Sequence, residues 1–154
     1  MIRIIAHRAN LVGPSPDENS PNLIDKSLSM GFDAEVDVWL KDKLLFLGHD
    51  KPEYPIDLDF LVQRKDSLWV HCKNVEALES LLQVQGINVF WHQQDDYTLT
   101  RSNHIWAYPG RDITKTSVSV MPSNLKREIL LGPFAICTDY PIDALKILRS
   151  QETK

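Results

Sequence analysis

The chain has 154 residues, 43% hydrophobic and 25% charged. Those values fit one soluble globular domain, 1–154, long enough to bury about two thirds of its unfolded surface. A net charge of -4, with no Lys/Arg cluster longer than a pair, argues against a nucleic-acid footprint. No apolar run approaches the roughly 20 residues of a membrane span, and the start Met1-Ile2-Arg3-Ile4-Ile5-Ala6-His7-Arg8 turns polar too soon for a signal peptide. A cytoplasmic protein without a transmembrane segment is expected.

The first strand-like run is 2–6, followed by a helical pattern over 22–30. Runs at 34–39 and 44–47 precede a helix over 57–64, and a strand at 68–72 leads into a helix over 75–85. A strand at 89–92 opens the stretch 93–117, which carries no helical pattern: Asp95-Asp96 and Pro109-Gly110 punctuate it as turns and hairpins around a strand at 105–108. The chain closes with strands at 118–121 and 134–138 and helices over 124–130 and 142–150. Cys72 and Cys137 fall inside apolar strands, as reduced core thiols do. The alternation predicts an α/β fold, a TIM-type (β/α) barrel reduced by several missing outer helices. The helix-poor side over 93–117 leaves room for a second copy, so a homo-oligomer is expected there.

Barrel active sites are built at the C-terminal ends of the strands. In this chain those ends carry His7-Arg8, Glu35 and Asp37, His71 and Lys73, His92 and Asp139. Glu35 and Asp37 are two apart on a strand and project from one face. Two acids sharing a face, with His7 before them and His49 after, suit a divalent cation and acid–base chemistry. Simpler readings exist for several of these residues. The Glu35/Asp37 strand could turn its polar face to water, His92 fits a core-edge histidine better than a ligand, and Asp139 suits the cap of the helix beginning near Pro141.

The runs Ile5-Ala6-His7-Arg8, Glu18-Asn19-Ser20, Glu35-Val36-Asp37-Val38 and His49-Asp50 together resemble the N-terminal signature of the glycerophosphodiester phosphodiesterase family, within the phosphatidylinositol-phospholipase-C-like barrels. The run Ile136-Cys137-Thr138-Asp139-Tyr140-Pro141 is similar to that family's closing strand. The resemblance implies a metal-dependent phosphoric diester hydrolase acting on a small-molecule phosphodiester, glycerophosphodiester-like or sugar-linked, with a place in lipid metabolism. It also implies that His7 and His49 are the acid and base, that Glu35, Asp37 and Glu18 line a Mg2+ or Ca2+ site, and that Arg8 and Lys73 meet the phosphate.

Two departures from that pattern stand out. Ala9 occupies a place where the family usually has Gly. In Trp69-Val70-His71-Cys72-Lys73, His71 stands where the family usually has a metal-binding Glu, and a nitrogen ligand shifts preference toward Mn2+ or Zn2+. The chain is also short for the family. These departures favour a second reading, a non-catalytic phosphate- or sugar-phosphate-binding descendant of the barrel. Attack by water and attack by a neighbouring substrate hydroxyl, which releases a cyclic phosphate, both stay open.

Overall fold

The computed structural model describes residues 2–152. It contains ten strands in one curled mixed sheet and five α-helices. In chain order these are β1 (Arg3–Ala6), a 3-10 turn (His7–Ala9), α1 (Pro21–Ser29), β2 (Asp33–Lys41), β3 (Leu44–Leu47), β4 (Tyr54–Ile56), α2 (Leu58–Arg64), β5 (Leu68–Cys72) and α3 (Val75–Leu82). There follow β6 (Val89–Phe90), β7 (Tyr97–Leu99), β8 (Ile105–Ala107), β9 (Ser117–Val120), α4 (Leu125–Leu131), β10 (Ala135–Thr138) and α5 (Pro141–Glu152).

Strands β6, β5, β2, β1, β10, β9 and β8 lie side by side and parallel in that order, as the staves of a reduced TIM-like barrel. β7 then pairs antiparallel with β8. No ladder joins β7 to β6 among the described residues. The seam carries hydrogen bonds instead, from Arg101 N to the Val89 carbonyl (2.9 Å), from Thr98 Oγ1 to the Trp91 carbonyl (2.8 Å) and from Ser102 N to Asn88 Oδ1 (3.1 Å).

The expected strand at 44–47 exists but is not a stave. It forms an antiparallel hairpin with the far half of β2, where Val38 pairs with Leu47 and Lys41 with Leu44. Asp42 and Lys43 both adopt positive φ (50° and 65°), the requirement of a type I′ turn, whose twist matches that of the strands. β2 is therefore a stave for its first half and a hairpin arm for its second.

Alternation along the staves separates two cores. Ala34, Val36, Val38, Val70 and Cys72 face outward and pack against Ile24, Leu61, Ala77 and Leu81 of the helices. Ile5, Trp69, Phe90, Trp106, Val118, Val120, Ala135 and Cys137 fill the inside. Both cysteines are buried and free, as expected, and burial pushes the Cys72 thiol up to about 12. Short side chains start the helices: Ser20, Asp57, Asn74 and Asn124 each accept an N–H from the first turn, leaving fewer orphan donors. As predicted, 93–117 contains no helix. Tyr97 and Leu99 of β7 consequently remain exposed.

Candidate active site

Inward-facing positions follow a period of two, so the sites beyond Ile5 in β1, Asp33 in β2 and Trp69 in β5 are His7, Glu35 and Asp37, and His71 and Lys73. Parallel register then sets the neighbours. Ala6 pairs with both Ala34 and Thr138, so the next position sets His7 between Glu35 and Asp139. Asp37 pairs directly with His71, and His71 with Phe90. His7, Arg8, Glu35, Asp37, His49, His71 and Lys73 all line one cavity of about 450 Å³ at the C-terminal mouth.

Asp37 is nearly inaccessible, and its carboxylate is surrounded. Asn19 Nδ2 donates to Oδ2 at 2.9 Å, and the Asp37 N–H donates back to Asn19 Oδ1 at 2.9 Å. His71 Nδ1 lies 3.0 Å and Lys73 Nζ 3.4 Å from Oδ1, while Arg8 Nε lies 3.7 Å from Oδ2. Burial opposes the charge on Asp37, but the His71 hydrogen bond, the Lys73 charge and Asn19 outweigh it and hold the carboxyl below the usual carboxylate range. Glu35 has fewer partners: the Arg8 N–H donates to its Oε2 at 3.0 Å. Burial and the adjacent Asp37 charge push Glu35 upward, more than His7 and His71 restrain it.

Each candidate acid–base histidine has a carboxylate on Nδ1. His7 Nδ1 donates to Asp139 Oδ1 at 2.9 Å and His49 Nδ1 to Asp50 Oδ1 at 2.7 Å, which leaves Nε2 of each ring for proton exchange. Burial works against a charged His7, yet the Asp139 hydrogen bond and the Glu35 and Asp139 charges prevail and raise it. His49 is carried by the loop after β3. Gly48 before it has φ +142°, and an added Cβ would stand 2.2 Å from the Lys51 carbonyl, so only glycine fits there.

Glu35, Asp37 and His71 place one ligand atom each within 4.8 Å of one another, and two carboxylates with an imidazole are a donor set that fits a divalent cation. Glu18 lies apart from this trio, contrary to its expected place in the metal shell. Its Oε1 accepts from Arg8 Nη1 at 2.9 Å and its Oε2 from Asn10 Nδ2 at 3.3 Å, because the loop carrying it packs beside the 3-10 turn. Asp139 also differs from expectation. Its carboxylate points inward, accepting from His7 and from Asn10 (2.9 Å) rather than capping α5. His92 stacks on His71 with ring centroids 4.7 Å apart, and burial together with the His71 and Lys73 charges lowers it to about 4.

Asn10, Asn19 in its hydrogen-bonding role, and the Asp139 partnership were not read from the sequence. The signal for Asp139 was its place one step beyond a closing strand, which becomes informative only once that strand is paired with β1. Ala9 takes φ +62°, the left-handed conformation that suits glycine, so the chain makes the turn with alanine at a cost of about 1 to 2 kcal/mol.

The fold and site together are those of a reduced α/β barrel with a two-carboxylate, histidine-rich mouth. No protein-family model matches the chain, and no curated protein matches it in sequence. The structure is similar to the crystal structure of a glycerophosphodiester phosphodiesterase from Parabacteroides distasonis, with a TM-score of 0.57 and 12% identity over 98% of each chain. The likeness establishes the fold. No helix among the described residues is long and apolar enough to cross a membrane.

Proposed function

We propose that the protein is a metal-dependent phosphodiesterase that cleaves a small phosphodiester by His7/His49 acid–base catalysis. The observation that carries this reading is the convergence of His7, His49, Arg8 and Lys73 with the Glu35–Asp37–His71 trio on one cavity. A divalent cation held by that trio would supply positive charge to the phosphate oxygens. Arg8 and Lys73 add fixed positive charge on the same wall, which favours the extra negative charge developed in the transition state. One histidine takes the proton of the attacking oxygen at Nε2 and the other returns a proton to the leaving oxygen. The cavity's volume of about 450 Å³ is on the scale of a small phosphodiester, which supports a glycerophosphodiester-like or sugar-linked substrate. A glycerophosphodiester phosphodiesterase as fold neighbour supports the same substrate class.

A second reading is favoured by one observation: Lys73, His71 and Arg8 already surround Asp37, as in a module that holds phosphate without turning it over. Hydrolysis of bis-p-nitrophenyl phosphate and glycerophosphodiesters, assayed with Mg2+, Ca2+, Mn2+ and Zn2+, separates the two. Turnover that vanishes in His7→Ala and His49→Ala supports the enzyme. Phosphate binding with no turnover above those variants leaves the binding module. Product analysis distinguishes hydrolysis from release of a cyclic phosphate.

A further inference from the structure

We propose that His71 coordinates the cation directly through Nδ1, so that the site selects divalent ions that accept nitrogen, such as Mn2+, Fe2+ or Zn2+, over Mg2+ and Ca2+. The inference rests on the reading of Glu35, Asp37 and His71 as a metal centre and names the class of metal it takes.

Three observations set the His71 ring as a ligand. The first is register: Asp37 and His71 are direct partners in the β2–β5 ladder, so both side chains leave the sheet on the same face at the same height. Nδ1 consequently lies 3.0 Å from Asp37 Oδ1 and 3.8 Å from Glu35 Oε1.

The second observation concerns the other ring nitrogen. Nε2 lies 3.3 Å from the His92 carbonyl oxygen. A carbonyl can only accept, so Nε2 carries the hydrogen in that bond. A cation bound between the carboxylates would take the place of the hydrogen that Nδ1 shares with Asp37 Oδ1, leaving the Nδ1 lone pair to the metal. Metal-bound histidines are commonly oriented this way, with the remote N–H given to a backbone carbonyl.

The third is confinement. The ring packs against Phe90 (centroids 5.1 Å) and His92 (4.7 Å), each within 6° of parallel, and those two rings lie 6.2 Å from one another. A flip would have to open both stacks and break the carbonyl bond. An oxygen-only site suits hard cations such as Mg2+ and Ca2+, whereas a preset imidazole beside two carboxylates favours Mn2+, Fe2+ or Zn2+. Lys73, 3.4 Å from Asp37 Oδ1, is the charge a bound cation would displace toward the phosphate.

The test uses the full-length protein stripped of metal and titrated with Mn2+. Pulsed electron paramagnetic resonance should show 14N modulation on the bound Mn2+, replaced by the 15N pattern in protein labelled with 15N-histidine. The nitrogen signal should disappear in His71→Glu and His71→Asn while Mn2+ stays bound. Calorimetric titration should show that the ratio of Mn2+ to Mg2+ affinity falls by about tenfold or more in His71→Glu. Bound Mn2+ without histidine nitrogen, nitrogen that persists in both His71 variants, or an unchanged affinity ratio overturns the inference and leaves the metal-centre reading intact. Failure of Mn2+ to bind, or binding undisturbed by Asp37→Asn, removes that reading as well. Absence of histidine nitrogen from Mn2+ in the unmutated chain overturns the inference even if a variant does not fold, and the two His71 variants assign the signal among the histidines of the cavity.

Discussion

His7 Nδ1 and Asp139 Oδ1 lie 2.9 Å apart, so the end of the first strand is bonded to the end of the last. The bond orients the imidazole and supports its charged form against the cost of burial. Asp139→Asn should lower kcat against bis-p-nitrophenyl phosphate by roughly 10²-fold or more, with a smaller effect on KM. The His7 titration, followed by NMR, should move to lower pH. Because the folded value is raised, the stability this pair contributes is complete below the ordinary histidine pKa of 6.5 and is lost as pH rises through the folded value. Denaturant unfolding across that window should show the loss in the parent chain and a flatter profile in Asp139→Asn.

Asn19 satisfies Asp37 twice, once at the backbone N–H and once at Oδ2, and itself sits at φ +62°. Asn19→Ala removes one bond from a buried carboxylate and one from a buried backbone N–H, and leaves an alanine in a left-handed conformation. Unfolding by urea should report a loss of about 2 to 4 kcal/mol. The Asp37 titration should move upward, because Asn19 is one of the groups that lower it.

Gly48→Ala should damage the His49 loop. The new Cβ would meet the Lys51 carbonyl at 2.2 Å, and the Gly48 carbonyl, which accepts from Trp39 Nε1 at 2.6 Å, could not stay in place. A stability loss of about 2 kcal/mol or more is expected, with kcat falling further than stability accounts for because His49 is displaced. Gly31→Ala provides the comparison. Its added Cβ meets nothing within 4 Å, so the loss there should be limited to the strain of its positive φ.

At the opposite, N-terminal mouth, Asp33 accepts from Trp69 Nε1 (3.0 Å) and Arg3 Nη2 (2.9 Å). Burial still raises its pKa above 3.8, and the two bonds only limit the rise. The native state therefore favours the protonated carboxyl, and stability falls as pH climbs from 3.8 through the folded value. Trp69→Phe should cost about 1 to 3 kcal/mol at neutral pH by leaving a buried oxygen short of a donor. The difference from the parent chain should narrow in urea titrations below pH 3.8, where the carboxyl is protonated in both.

Much of the fold was legible because its signals are local. The alternation in Asp33-Ala34-Glu35-Val36-Asp37-Val38 marks a strand with one polar face, and the apolar pattern over 75–85 marks the helix found at Val75–Leu82. The run 44–47 shows the limit. Its composition is that of a strand, but whether a strand becomes a stave or a hairpin arm depends on the two-residue turn at Asp42-Lys43 and on what is left for β2 to pair with. The position of Glu18 outside the Glu35–Asp37–His71 trio has a similar origin. Its carboxylate accepts from Arg8 Nη1 at 2.9 Å, a partner set by where the loop lies and not by spacing along the chain.

The candidate residues at the strand ends can be named from the chain: a period of two assigns His7, Glu35, Asp37, His71 and Lys73 to the inner face, whereas His49 lies on the loop after β3. The tertiary structure decided who touches whom. Parallel register set His7 between Glu35 and Asp139 and laid His71 against Asp37, and neither adjacency has any expression in sequence distance, since the partners are 132 and 34 residues apart. Pairing across a sheet is a property of how separate strands are offset against one another, which local propensities along a chain do not encode.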